Sequence, residues 1–230
     1  MEEKHFRGET LKVVRILIFV EGQTEESFVK NMLSRHFYQF DIFLYPIISQ
    51  TSKKESKQQK GGISSYAKIK NQLNILCKSD QSAYVTTMID YYRFPKDFPG
   101  KDDLLKIKNS FNRALELEKC FGKDISLRNF IPNLMIHEFE GLLYSRPEAF
   151  AAWFPSLDIA KLEIDKSLFP TPEHIDDDPE TAPSKRILKY CPSYQKVHHG
   201  TSIALDIGLD NIRRACKHFD HWITMLESLK

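Results

Sequence analysis

The chain has 230 residues, 33 Lys and Arg against 31 Asp and Glu, and a formal net charge of +2. That length suffices for one packed domain, with or without a helical lobe, and so small a charge leaves any nucleic-acid role to local patches. Cys77, Cys120, Cys191 and Cys216 form no CxxC pair, which argues against a structural zinc site or a disulfide framework, and no apolar run approaches the roughly 20 residues that span a bilayer.

Residues 1–12 read as a flexible start whose charges do not resemble a secretory signal, so a cytoplasmic protein with no membrane association is expected. Val13 to Val20 is a near-continuous apolar run, the kind buried on both faces in parallel sheets. It ends in Glu21 and Gly22. Gln23 or Thr24 then caps a helical pattern through Glu25, Phe28, Val29, Met32 and Leu33. Asp41 to Ile48 is a second strand. Ser49 to Gly62, with Lys53, Lys54, Lys57 and Lys60 among Ser and Gln, is a basic loop open to solvent or to phosphate. Ser64 to Cys77 has helical spacing, Ala83 to Ile89 is a third strand ending in Asp90, and Leu104 to Cys120 is an amphipathic helix. Asn129 to Ile136 is a fourth strand, running through His137-Glu138-Phe139-Glu140 into a helix. Strands alternating with helices predict an α/β fold: a mainly parallel four-stranded sheet flanked by helices, over residues 13–146. Residues 147–230 are expected to form a C-terminal helical extension carrying a second basic loop.

The first, third and fourth strands each end in acid: Glu21, then Asp90, then Glu138 with Glu140. Parallel strands bring their carboxyl ends to one edge of the sheet, where open α/β folds bind ligands, and Glu25 lies one helical turn beyond Glu21. Carboxylates gathered there repel one another unless a cation intervenes. An all-oxygen set suits Mg²⁺ or Mn²⁺, and such ions serve phosphoryl chemistry. Helix N-terminal acids favoured by the macrodipole are the alternative explanation for Glu25 and Glu26. His137 is placed to contact phosphate or orient a ligand, although a strand-end histidine is more often structural. In Tyr194-Gln195-Lys196-Val197-His198-His199-Gly200, donors clustered before a helical pattern suit an anion. Lys185, Arg186 and Lys189 form one basic helical face, and Arg213, Arg214, Lys217 and His218 form another beside Phe219 and Trp222.

The segment Val20-Glu21-Gly22-Gln23-Thr24-Glu25 resembles the opening motif of TOPRIM domains, shared by topoisomerases, primases and OLD-family nucleases. With TTMIDYYRFP, PNLMIHEFEGLLYS and YQKVHHG, the chain from Val13 to Trp222 resembles an OLD-nuclease-like group of TOPRIM-like bacterial proteins. Members are often encoded beside ABC- or AAA-type ATPases in phage-defence loci. The resemblance implies that Glu21 is the TOPRIM glutamate, Glu25 the second acid of the OLD-like branch and Asp90 the first aspartate of a DxD motif. It also implies that Glu138 and Glu140 complete the metal site and that Lys196 works near the scissile phosphate. Tyr92 stands where the second DxD aspartate is expected and, with a pKa near 10, is a poor Mg²⁺ ligand, leaving Asp97 as a substitute to consider.

Together these readings predict a metal-dependent nuclease cutting DNA or RNA, with Glu21, Glu25, Asp90 and Lys196 catalytic and Lys196, His199 and His137 meeting substrate. The chain has no GxxxxGK[ST] signature, so an ATPase activity must come from a partner. The resemblance implies an effector subunit under the control of an ATPase encoded nearby. The alternatives are a non-catalytic regulatory or assembly subunit of the ATPase complex, and a phosphoryl-transfer enzyme acting on nucleotides.

Overall fold

The computed structural model describes residues 13–50, 65–91, 95, 97–104, 106–175 and 180–230. The start over 1–12, the lysines of the first basic loop and Tyr92 lie outside the described residues. Strands β1 (Val14–Val20), β2 (Ile42–Ile48), β3 (Tyr84–Met88) and β4 (Phe130–Ile131) form one sheet in the order β2-β1-β3-β4, with every pair parallel. Val20 lies opposite both Ile48 and Met88, so β1 has a neighbour on each side. Its apolar character on both faces follows from that interior place.

Gln23–Phe28 (α1) runs through a π-helical turn, Val29–Leu33, into α2 (Ser34–Tyr38). The hydroxyl of Ser34 donates to the Val29 carbonyl at 2.9 Å across that turn. Helix α3 (Tyr66–Ser79) follows β2, and α4 (Lys101–Leu104) and α5 (Ser110–Ile125) follow β3. Of the helix expected over Leu104 to Cys120, α5 forms the part from Ser110 and runs on to Ile125, while α4 ends at Leu104. Asn109, in an extended conformation, starts α5 by accepting the Asn112 N–H at 2.9 Å, a side-chain N-cap.

The fourth strand is much shorter than the run from Asn129 to Ile136 predicts. Pro132 has no N–H to give the ladder, and the chain returns to β3 only through a bridge between Asp90 and Met135. Hydrogen bonds of 2.9 Å from Met135 N–H to the Ile89 carbonyl and from Tyr91 N–H to the Met135 carbonyl hold that bridge. Asn133 fills the gap, donating its side-chain amide to the Thr87 carbonyl at 2.9 Å. The helix expected after His137 is a 3-10 turn, Phe139–Ser145, followed by a second, Pro147–Ala152.

Helices α6 (Ile159–Ser167) and α7 (Pro183–Tyr190) precede a π-helical turn, Lys196–Gly200. Helices α8 (Thr201–Ile207), α9 (Leu209–Ala215) and α10 (Lys217–Glu227) complete the chain. On one face of the sheet Phe19 and Val85 pack with Ile69 and Leu73 of α3 and Leu117 and Phe121 of α5. On the other, Ile16, Ile18 and Val20 share a core with Phe28, Phe37, Ile203, Phe219 and Trp222. Trp222 is 1% exposed and donates its indole N–H to the Thr86 hydroxyl at 3.0 Å. Phe219 and Trp222 are thus interior, and neither presents a surface on which a partner could dock. No helix among the described residues is long and apolar enough to cross a membrane.

Candidate functional site

The carboxyl ends of the strands carry acids because each strand stops there and the chain turns polar. Glu21 follows β1, half-buried, and feels the charge of Asp90. Glu25, in the first turn of α1, is 3% exposed. Its Oε2 accepts the Gly22 N–H at 3.0 Å, satisfying one free donor of the helix start and leaving Oε1 to face the site. Asp90 follows β3 at the Met135 bridge, its side chain 11% exposed. Glu140, in the first 3-10 turn, is fully buried.

These acids converge on one ammonium group. Lys196 Nζ lies 3.6 Å from Glu25 Oε1, 3.6 Å from Asp90 Oδ2 and 3.2 Å from Glu140 Oε2. The lysine reaches them from its π-helical turn, which packs against α1. There the Thr201 hydroxyl donates to the Thr24 carbonyl at 3.4 Å, and Gly200 stands where an added Cβ would come within 3.0 Å of the Tyr194 hydroxyl and 3.3 Å of the Phe139 ring. A larger residue there would push the lysine-bearing turn off the site.

Burial pushes the Asp90 carboxyl well above its usual range; Lys196 opposes the shift, and Glu21, Glu25 and Glu140 add to it. Burial raises Glu140 as well, again against Lys196, with Glu138 and Glu25 adding to the rise. Burial alone would lower Lys196, but Glu140, Asp90, Glu25 and Glu138 together hold it well above the ordinary lysine value. Asp90 Oδ1 is buried with no hydrogen-bond donor, a costly state for a carboxylate oxygen.

Glu138 stands at the rim. Its Oε2 accepts the Ser184 N–H at 2.9 Å, at the first turn of α7, so half of this carboxylate anchors a helix. His137 is 2% exposed, at φ 66°, with its ring 6.4 Å from that of Tyr91. That position lies inside the fold. His199 Nδ1 accepts the Gln195 N–H at 2.9 Å, and its ring packs 4.8 Å from Phe154. Burial and then His198 lower its pKa. Asp97 does not stand in for a missing ligand. Its Oδ1 accepts the Tyr66 N–H at 3.1 Å and its Oδ2 the Ser65 hydroxyl at 3.4 Å, capping α3.

Sequence reasoning missed Tyr194, whose hydroxyl donates to Glu140 Oε1 at 3.4 Å. Its place two residues before Lys196 was the available signal. Among the described residues, no group of three or more His, Cys, Asp or Glu side chains is spaced as a ready metal site; the cation at the centre is Lys196.

Residues 20–227 match the family described as a domain of unknown function, DUF4276. The chain belongs to this family. The span matched in this DUF4276 chain includes every carboxylate of the site and Lys196. No curated protein matches it. Similar solved structures include the C-terminal region of the Burkholderia pseudomallei OLD protein, at 15% identity over 92% of this chain and 100% of that chain, with a TM-score of 0.41. The C-terminal region of the Xanthomonas campestris pv. campestris OLD protein is also similar, at 15% identity over 92% of this chain and 97% of that chain, with a TM-score of 0.39.

Proposed function

We propose that this chain is a TOPRIM-type nuclease that uses Mg²⁺ or Mn²⁺ to cleave phosphodiester bonds in DNA or RNA. It would be the effector of an anti-phage system controlled by an ABC- or AAA-type ATPase. The observation that carries this reading is the convergence of Glu25, Asp90 and Glu140, from three separate elements at the carboxyl edge of a parallel sheet, on a single point. The donor set is all oxygen, as hard divalent ions require, and Asp90 Oδ1 is a buried acceptor with no donor. Glu25, Asp90 and Glu140 would hold the ion, with Glu21 beside Asp90 and the remaining oxygen of Glu138 at the rim. The ion, when bound, supplies Lewis acidity and a hydroxide source at neutral pH.

The chain's own groups divide the remaining work. Tyr194 orients Glu140 through its hydroxyl, and Gly22 orients Glu25 through its N–H. Lys196 meets charge on the phosphate. The test is incubation with plasmid, linear DNA and total RNA in Mg²⁺ and in Mn²⁺, with and without the neighbouring ATPase. Cleavage that requires the ion and disappears in Asp90→Asn and Glu140→Gln, both still folded, is expected. Cleavage unchanged in either variant would assign the activity elsewhere.

One observation favours a second reading. Lys196 neutralises the acids from within, as it would in a degenerate site kept for shape by a non-catalytic regulatory or assembly subunit. Failure of the folded chain to bind Mn²⁺ would select that reading.

A further inference from the structure

An ammonium held by carboxylates is ordinarily close to them, at about 2.7–2.9 Å for a charge-assisted hydrogen bond. Lys196 is at 3.2, 3.6 and 3.6 Å from its three partners, a shared and loose hold. The compensation is also incomplete. One ammonium is shared among the three carboxyl groups of Glu25, Asp90 and Glu140, and Asp90 Oδ1 still has no donor. The lysine is the one member of the cluster with room to leave: its side chain is 39% exposed while Glu25, Asp90 and Glu140 are 4%, 11% and 0% exposed. Its own turn opens outward, with Val197 50% exposed and His198 exposed beside it.

We infer that Lys196 is a displaceable resident cation, which competes directly with a divalent ion for the carboxylates of Glu25, Asp90 and Glu140 and keeps the site shut until the ion takes its place. The inference rests on the metal-dependent reading above and adds a regulation to it. A like charge held a few ångströms from an incoming cation weakens its binding, and the effect is large in a buried setting. The same lysine, once released, has its charge free for an anionic substrate, so opening the site and arming it against phosphate become one movement. Nothing covalent changes: one ammonium leaves the carboxylates and water takes it up.

Mn²⁺ binding, measured by titration calorimetry and by electron paramagnetic resonance without substrate, tests this. Lys196→Met keeps the length and removes the charge, and should bind Mn²⁺ at least about ten-fold more tightly than the wild-type chain. Reductive methylation with labelled formaldehyde, read by mass spectrometry on the wild-type chain, gives a second measurement independent of the variant's folding. Lys196 should be modified slowly without metal and several-fold faster with saturating Mn²⁺. Equal or weaker Mn²⁺ binding by folded Lys196→Met, or Lys196 methylation unchanged by an ion that binds, would overturn the inference and leave the metal site standing. Absence of Mn²⁺ binding in both proteins would overturn the metal site and the inference together.

Discussion

A buried carboxylate is stabilised where a cation or several N–H groups meet it, and this chain uses both devices in different places. Glu173 is 5% exposed and receives the N–H groups of His218 at 3.0 Å and Phe219 at 2.9 Å at the start of α10. Glu118 meets His218 Nε2 at 2.9 Å and accepts the Leu134 N–H at 2.8 Å. Burial would lower the His218 pKa, but the bond and charge of Glu118, with Glu173 behind it, raise it. A histidine whose folded pKa is raised stabilises fully below its unfolded pKa and loses that contribution as pH rises through the folded value. Urea unfolding should therefore show the wild type losing stability from pH 6 to pH 8.5. Glu118→Gln should be about 1.5–3 kcal/mol less stable at pH 6, with much of that pH dependence gone. Equal slopes in the two proteins would assign the pH dependence to other groups.

At the scale of elements, the π-helical turn Lys196–Gly200 decides whether the lysine reaches the acids, and Gly200 decides how closely that turn sits on α1 and the 3-10 turn. Gly200→Ala should cost about 1–3 kcal/mol, the usual range for overpacking, because the Tyr194 hydroxyl at 3.0 Å must move. It should also weaken the Lys196 contacts, seen as faster methylation of that residue. Unchanged melting and unchanged labelling would show that the turn has room. Much of this level was legible in the sequence. The β1 run announces an interior strand by its lack of alternation, and its end at Glu21 and the end of β3 at Asp90 place two acids on one edge. What was not legible depends on distant partners. Nothing local to Glu138 reveals the Ser184 N–H that takes one of its oxygens, and nothing local to Asp97 reveals that it caps α3. Pro132 does carry a local signal against a long fourth strand, but the apolar residues after it masked the break. Lys196 was legible as a candidate through the family resemblance, while its place among the acids depends on tertiary packing across 56 to 171 positions of sequence.

For the molecule as a whole, the two basic helical faces seen in the sequence are partly consumed by internal pairs. Arg186 Nη1 is 3.1 Å from Asp165, and Lys189 lies 5.3 Å from the Tyr190 ring centre. Arg213 pairs with Asp220 and Glu227, both at 2.6 Å. The central claim, that the acids at the sheet edge hold a divalent ion, is tested most directly by anomalous scattering from crystals grown with Mn²⁺. The account predicts a manganese peak within about 2.5 Å of oxygens from Asp90, Glu25 and Glu140, with the Lys196 ammonium moved out of the cluster. Crystals saturated with Mn²⁺ that show no peak there, and Lys196 still between the three carboxylates, would contradict it.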